Sequence, residues 1–527
     1  MKPPKLIELK PADVQALLMR VEKGALQEGD YEIIKSIVET LVYLSQAVDE
    51  KATAIKRLLR VIFGAKTETR EKLFKIGSNL KEVDTPEEES EPKKQPGHGR
   101  NGADAYKKAE RIKVSIQDLK AGEPCRECLR GRLYPVKKAG TLVRFVGMAP
   151  LAAKIYEMEK LRCNLCGEVF TAQPPNNVGS DKYDETAGAM IAMLKYGSGV
   201  PFYRIEKLQE SMGIPLPAST QWDIVENTAN GGPHPAYREL IRQAAQGNII
   251  HHDDTPMKIL ELVKEANEQS SRTGMFTTGM MSIVEDRKIA LFFTGQKHAG
   301  ENMTDLLKQR QVELDPPIQM CDALSRNASK EFETILANCL VHGRRNFVDV
   351  AANFPEETAY VIDQIALVYK NDEMAKQQNL SPQERLLFHQ RESAPVMKNL
   401  KQWLSQQMEQ KKTEPNSGLG KAIAYMLKHW DPLTLFLRVP GAPLDNNLCE
   451  QTLKKAILHR KNSLFYKTAH GAFIGDMFMS LIHTCSLGDV NPFDYLVALK
   501  RHSSEVFKNP RNWLPWNYQG SLPVNDS

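Results

Sequence analysis

From Ile34 the apolar residues fall at alternating three- and four-residue steps, through Ile37, Leu41, Leu44, Val48, Ile55, Leu58 and Ile62, with Lys51 the one miss. A seam of this period predicts a helix that zips to a second copy, or else an amphipathic helix packed on its own protein, with Gly64 ending it. Helical patterning returns from Asp184 to Asn230, where Phe202 to Met212, a Gly213-Ile214-Pro215-Leu216-Pro217 turn and Ala218 to Asn230 have the outline of a helix-turn-helix. The hydroxyl of Ser219 or Thr220 is positioned to cap the second helix, whose role is either reading DNA or packing. The pattern then changes to short β-branched and apolar runs at Asn248 to His252, Met257 to Leu262, Met275 to Val284, Ile289 to Thr294 and Ile318 to Cys321, which predict successive strands. From Ala351 to Trp430 it is helical again, broken at Pro355, Pro382, Pro395 and Pro415, and strand features resume at Leu433 to Val439. The economical reading is a helical insertion within an α/β domain.

Composition changes this picture little. The 527 residues exceed a single ordinary core and predict several modules. A net charge of +5 is too small to argue for nucleic acid by its sum. The start lacks the apolar core of a signal peptide and no run approaches a membrane span, so a cytoplasmic protein without membrane partners is expected. Local charge says more. Six acidic residues lie between Glu82 and Glu91, and Lys93, Lys94, His98, Arg100, Lys107, Lys108, Arg111 and Lys113 then reverse the sign, as in a charged linker that is either merely solvated or in contact with DNA.

Two Cys-x-x-Cys pairs, Cys125 with Cys128 and Cys163 with Cys166, follow, each with a glycine close behind. Four thiolates suit tetrahedral structural Zn²⁺ in a ribbon with Thr141 to Val146 as hairpin material, the other reading being four unmetallated thiols. Four protein ligands leave no open position for catalysis. Cys321, Cys339, Cys449 and Cys485 are scattered.

Three acids carry the candidate chemistry. Asp253 and Asp254 close the run Ile249-Ile250-His251-His252, and Asp322 closes Pro317-Ile318-Gln319-Met320-Cys321. Acids that end apolar runs must be paired, protonated or bound to a cation, although each alone also fits a loop-capping aspartate. Glu450 follows Pro443-Leu444-Asp445-Asn446-Asn447-Leu448-Cys449 at the start of a predicted helix, where Asp445, Asn446 or Asn447 is placed to cap. A glutamate favoured by the helix dipole is the plainer reading of that position. At 100° per residue Glu450, Lys454, Ile457 and Lys461 share one side and Cys449, Leu453 and Ala456 an apolar arc, so the helix can hold an acid toward a sheet and lysines toward a phosphate backbone. Three carboxylates, from two strand ends and a helix, together suit two hard cations, Mg²⁺ or Mn²⁺, for in-line displacement at phosphorus.

At these motifs the chain resembles the DDE transposases of the insertion-sequence sixty-six family. The resemblance rests on His252-Asp253-Asp254-Thr255-Pro256, on His342-Gly343-Arg344-Arg345-Asn346-Phe347, and on Asp445 to Glu450 followed by Arg460-Lys461-Asn462-Ser463-Leu464-Phe465. It extends to the N-terminal zipper, the His98 to Gly102 linker, the four-cysteine ribbon, Lys195-Tyr196 and Asn491 to Leu496. It departs after Asp322, where Ala323-Leu324-Ser325-Arg326 replace glycine and aromatics.

The resemblance implies a ribonuclease-H-like core, with catalytic and metal-binding acids at Asp253 rather than Asp254, Asp322 and Glu450. His342, Arg344, Arg345, Lys454, Arg460 and Lys461 become DNA-contacting candidates. The expected fold is multidomain α+β: an arm (1–30), a coiled-coil dimerisation helix (31–82), a charged linker (83–115), a zinc ribbon (116–178) and a helical DNA-binding region (179–245). The catalytic core (246–350 and 433–475) follows with a helical insertion (351–432), then a C-terminal element (476–527). The implied activity is cutting of an element's terminal inverted repeats and joining to target DNA in the bacterial cytoplasm, by a homodimer or higher oligomer with accessory proteins from the same element. A silent DNA-binding relative and a metal-dependent nuclease on the same core are the competing readings.

Overall fold

The computed structural model describes short stretches between residues 17 and 35, residues 121–123, 132–133, 148–162 and 169–175, and residues 181–523 apart from 270–271 and 328–330. The heptad stripe beyond Lys35, the charged linker, the Thr141 to Val146 run and all four cysteines of the expected ribbon lie outside the described residues. The chain divides into two compact units, residues 82–152 and the remainder. In the smaller, Gly122 and Leu133 pair through a backbone hydrogen bond of 2.8 Å. The larger unit holds a short antiparallel pair, β1 (Lys160–Arg162) with β2 (Val169–Thr171), and everything that follows.

Its centre is a mixed five-stranded sheet of β3 (Ile249–Pro256), β4 (Phe276–Val284), β5 (Arg287–Gly295), β6 (Ile318–Cys321) and β7 (Ile335–Asn338), in the order β5-β4-β3-β6-β7. β3, β4 and β5 run antiparallel, while β6 and β7 lie parallel to β3. β4 and β6 are buried on both faces, which is why their sequences are continuous apolar runs rather than alternations. Glu285, at φ 54°, turns the chain between the paired Val284 and Arg287.

Helices α1 (Glu185–Ala192), α2 (Phe202–Ser211), α3 (Ala218–Ala229) and α4 (Pro233–Ala244) precede the sheet, α5 (Leu260–Gln269) follows β3, and α6 (Ala299–Leu307) links β5 to β6. After β7 come α7 (Leu340–Val350), α8 (Pro355–Gln377), α9 (Pro382–Glu392), α10 (Ala394–Glu409), α11 (Gly418–Lys428), α12 (Trp430–Leu433), α13 (Asn447–Ser463) and α14 (Ala469–Leu487). Pro355, Pro382 and Pro395 each stand in the first turn of a helix, where the missing N–H costs nothing. α14 covers the edge strand β5 with a polar ladder: Thr484 Oγ1, Ser480 Oγ and an Asp476 carboxylate oxygen accept from the amides of Ala290, Phe292 and Thr294. Those amides would otherwise face outward as an open edge.

Several expectations are corrected. Met257 to Leu262 is not a strand: Ile259 makes one parallel bridge to Tyr466 and α5 starts at Leu260. Leu433 to Val439 closes α12 and forms a 3-10 turn at Leu435–Leu437, because Leu433, Leu435 and Phe436 all point into one core. β7, four residues long, was not anticipated. α3 begins at Ala218, with Pro217 in extended conformation and no side-chain cap, so neither Ser219 nor Thr220 caps it. α3 carries no lysine or arginine, and its buried Gln221 donates to the Phe202 and Leu216 carbonyls, tying it to α2.

Candidate active site

β6 pairs with β3 only over Ile249 to His251, His251 lying opposite Met320, so the register continued two places sets Asp253 level with Asp322. On the other side Asp253 lies opposite Gly279 of β4. A Cβ on Gly279 would stand 3.0 Å from Leu453 Cδ1, and Cys449 Sγ donates to the Gly279 carbonyl at 3.2 Å. The absent side chain therefore lets α13 settle on the sheet, with Glu450 in its first turn. Burial raises the Asp253 carboxyl to about 7, opposed by the Asp254 amide and reinforced by the charges of Asp322, Asp254 and Glu450. One Glu450 oxygen, Oε1, is enclosed without a hydrogen-bond partner. Carboxylates drawn together with one oxygen unmet fit a divalent cation, which would favour their ionised forms.

The neighbours hold this arrangement. Asp254 points elsewhere: it accepts from Thr278 Oγ1 at 2.6 Å and from the Ala299 amide that opens α6 at 2.9 Å. Asn446, fully buried, donates from Nδ2 to the His252 carbonyl at 3.1 Å and accepts from His251 Nδ1 at 3.2 Å. It precedes α13 without capping it through its side chain, contrary to one sequence expectation, because that amide clips the helix start to β3 instead. Asp445 takes the local role, accepting from the Asn447 amide at 3.0 Å. Asp322 accepts from Asn327 Nδ2, whose carbonyl accepts from Gln319 Nε2. The same Gln319 nitrogen donates to His252 Nε2 at 2.8 Å. His252 is thereby neutral with its proton on Nδ1, and burial depresses it to about 3.

A second grouping escaped the sequence reading. Donor atoms of Cys339, His342 and Glu450 lie within 4.8 Å of one another. Cys339 stands at the N-cap of α7 and His342 one turn on, so a Cys-x-x-His spacing at a helix start was the available signal.

The other candidate residues are dispersed. Lys454 and Lys461 are exposed on α13, and Arg344 and Arg345 are half-buried on α7. Arg460 turns inward, donating to Thr255 Oγ1 at 2.9 Å and to the Pro256 carbonyl, which joins the end of α13 to the end of β3. Among the described residues no helix is long and apolar enough to cross a membrane.

Acids gathered from one strand, the residue that follows another and a helix on a mixed α+β scaffold make a candidate centre for hard cations. Comparison places the chain more narrowly: the family described as the transposase IS66 family matches residues 182–473, more than half its length, and the chain belongs to that family. It is similar to the uncharacterized protein y4jD of Sinorhizobium fredii (strain NBRC 101917 / NGR234), 26% identical over 408 residues that cover 74% of this chain and 78% of the relative. It is also similar to the uncharacterized protein y4hP of the same organism, 26% identical over 387 residues, covering 68% of this chain and 67% of that one. Membership in a transposase family implies DNA as substrate and use of a divalent metal.

Proposed function

We propose that this protein is a DDE-type DNA transposase that binds the ends of its own insertion sequence, cuts them and joins them to target DNA. The observation that carries the reading is the convergence of Asp253, Asp322 and the first turn of α13 with Glu450 on one face of the sheet. The strand order β5-β4-β3-β6-β7, with β4 antiparallel to the other four, supports a ribonuclease-H-like core, interrupted between α7 and α13 by the helical block.

Asp253, Asp322 and Glu450 would hold two Mg²⁺ or Mn²⁺ ions, which when bound lower the pKa of an attacking hydroxyl and stabilise the leaving oxygen. The protein's own part is placement. The Asn446 clip and the Gln319–Asn327 chain fix the carboxylates, so little rearrangement is needed when a phosphodiester arrives. Water replaces the 3′-oxygen on phosphorus in cutting, and the freed 3′-hydroxyl replaces another in joining, so one set of acids serves both steps. Lys454 and Lys461, with Arg344 and Arg345, are placed to meet phosphate, whereas Arg460 acts on the fold. The same proposal includes a four-cysteine zinc ribbon, a zipper-mediated dimer, accessory proteins from the element and the module boundaries given above.

The test incubates labelled terminal-repeat DNA with the full chain and Mg²⁺ or Mn²⁺, comparing wild type with Asp253→Asn, Asp322→Asn and Glu450→Gln. Cleavage should fall at least ~100-fold in each with DNA binding retained, a loss of about 2.7 kcal/mol of transition-state stabilisation. Metal-dependent cleavage undiminished in all three variants would sink the assignment. Cleavage without any strand joining would favour a nuclease.

A further inference from the structure

We propose that Cys339, His342 and Glu450 form a second cation site that takes one thiophilic divalent ion of the zinc class. The sulfur, an imidazole nitrogen and a carboxylate oxygen lie within 4.8 Å of one another. Ligand atoms on a tetrahedral zinc stand about 3.3–3.8 Å apart, given bonds of roughly 2.0–2.3 Å. Closing the difference takes movements of about 1 Å by the ligand atoms.

Beside that grouping, two enclosed atoms point to a missing partner, and the imidazole one is unused by the site of the three acids. Glu450 Oε1 and His342 Nδ1 are both enclosed and neither has a hydrogen-bond partner. Buried polar atoms in that state are rare in folded proteins and call for a ligand. Cys339 is fully buried at the start of α7, with its sulfur against the backbone N–H groups of Asn446, His342 and Val341. Burial pushes the Cys339 thiol up and these amides oppose that only in part, so an ion bound here displaces the thiol proton, as metal does at a cysteine ligand.

The donor set selects the ion. Magnesium demands an octahedron of oxygens, whereas sulfur, nitrogen and one carboxylate suit zinc with a fourth position open. Glu450 belongs to both sites, so this inference rests on its proposed catalytic role in one respect: a zinc-class ion draws the carboxylate toward Cys339 and withholds it from Asp253 and Asp322. Zinc should thus oppose magnesium-supported cleavage.

The experiment uses the full chain loaded with Zn²⁺, dialysed against a weak chelator in excess Mg²⁺ and measured for metal by elemental mass spectrometry. Wild type should hold one zinc equivalent more than Cys339→Ser, His342→Gln or Glu450→Gln, any zinc held by the four ribbon cysteines cancelling in the difference. Zn²⁺ should suppress Mg²⁺-supported cleavage in wild type at a concentration ~10-fold or more below that needed in Cys339→Ser. Equal zinc in wild type and Cys339→Ser overturns the site, as does loss confined to Glu450→Gln, which would assign the ion to the aspartates. If circular dichroism shows Cys339→Ser unfolded, the half-buried His342→Gln decides. Extra zinc in a chain that cuts no DNA upholds this site and counts only against the transposase reading.

Discussion

The two adjacent aspartates show how much depends on which way a side chain points. Asp253 and Asp254 differ by one place on β3 and therefore face opposite sides of the sheet: one meets Asp322 and Glu450, the other Thr278 and the start of α6. The family motif is what singles out Asp253 as the candidate, and the pleat gives the two acids different neighbours. Asp476 is a third acid with a separate duty and makes a pH prediction. Burial raises it to about 7, opposed by hydrogen bonds from the Thr294 amide and hydroxyl. Between pH ~4, where the unfolded carboxyl ionises, and pH ~7, the folded state binds the extra proton, so stability falls as pH rises and the loss is complete above that window. Asp476→Asn, which keeps an acceptor for the Thr294 amide, should flatten this slope. Thermal unfolding from pH 4 to pH 8 should show the variant gaining on wild type by up to roughly 4 kcal/mol at the alkaline end. A parallel pH profile in the two proteins would remove the role given to Asp476.

Among the elements, α13 depends on a strand residue it never contacts covalently. Gly279 pairs with Asp253 and lies under Leu453, so side-chain volume there pushes the helix that brings Glu450. Gly279→Ala comes close only to the flexible end of Leu453, its Cβ and Cα standing at ordinary contact distance, and should be mild. Gly279→Val should cost about 1–3 kcal/mol in urea unfolding and lower cleavage more than it lowers DNA binding. If valine left cleavage at the wild-type rate, α13 would not be seated as described. The strand and helix periods of the sequence found β3, β4, β5, β6 and the apolar arc of α13, since each repeats its pattern for several residues. They missed β7 and misread Leu433 to Val439, because four to seven apolar residues carry too little period to separate strand from buried turn.

For the whole molecule, the helical block between α7 and α13 is not a detachable insertion. Ile318, Met320, Leu340 and Phe347 from the sheet and α7 share one core with Val361, Ile365, Leu400, Leu404, Met426 and Phe436. A Cβ on Gly343 of α7 would fall 2.6 Å from Met426 Sδ, so the layers touch closely. Replacing residues 355–437 by a Gly/Ser linker would uncover those four side chains at roughly 1.5–3 kcal/mol each, or about 6–12 kcal/mol, comparable with a domain's whole stability of about 5–15 kcal/mol. The shortened chain should give no soluble protein with a cooperative melting transition. A cooperative melt from it would show the block to be an independent domain.

The sequence by itself determined the family, and its strand-end and helix-start acids made Asp253, Asp322 and Glu450 the candidates for the proposed site. It also placed most strands and the direction in which α13 buries its apolar arc. Tertiary structure decided the rest. Pairing across some 190 residues brought Asn446 to His251 and His252, and helix contact turned a scattered Cys339 into a neighbour of Glu450. Such relations depend on which elements meet, and local periodicity carries no information about a partner that far along the chain.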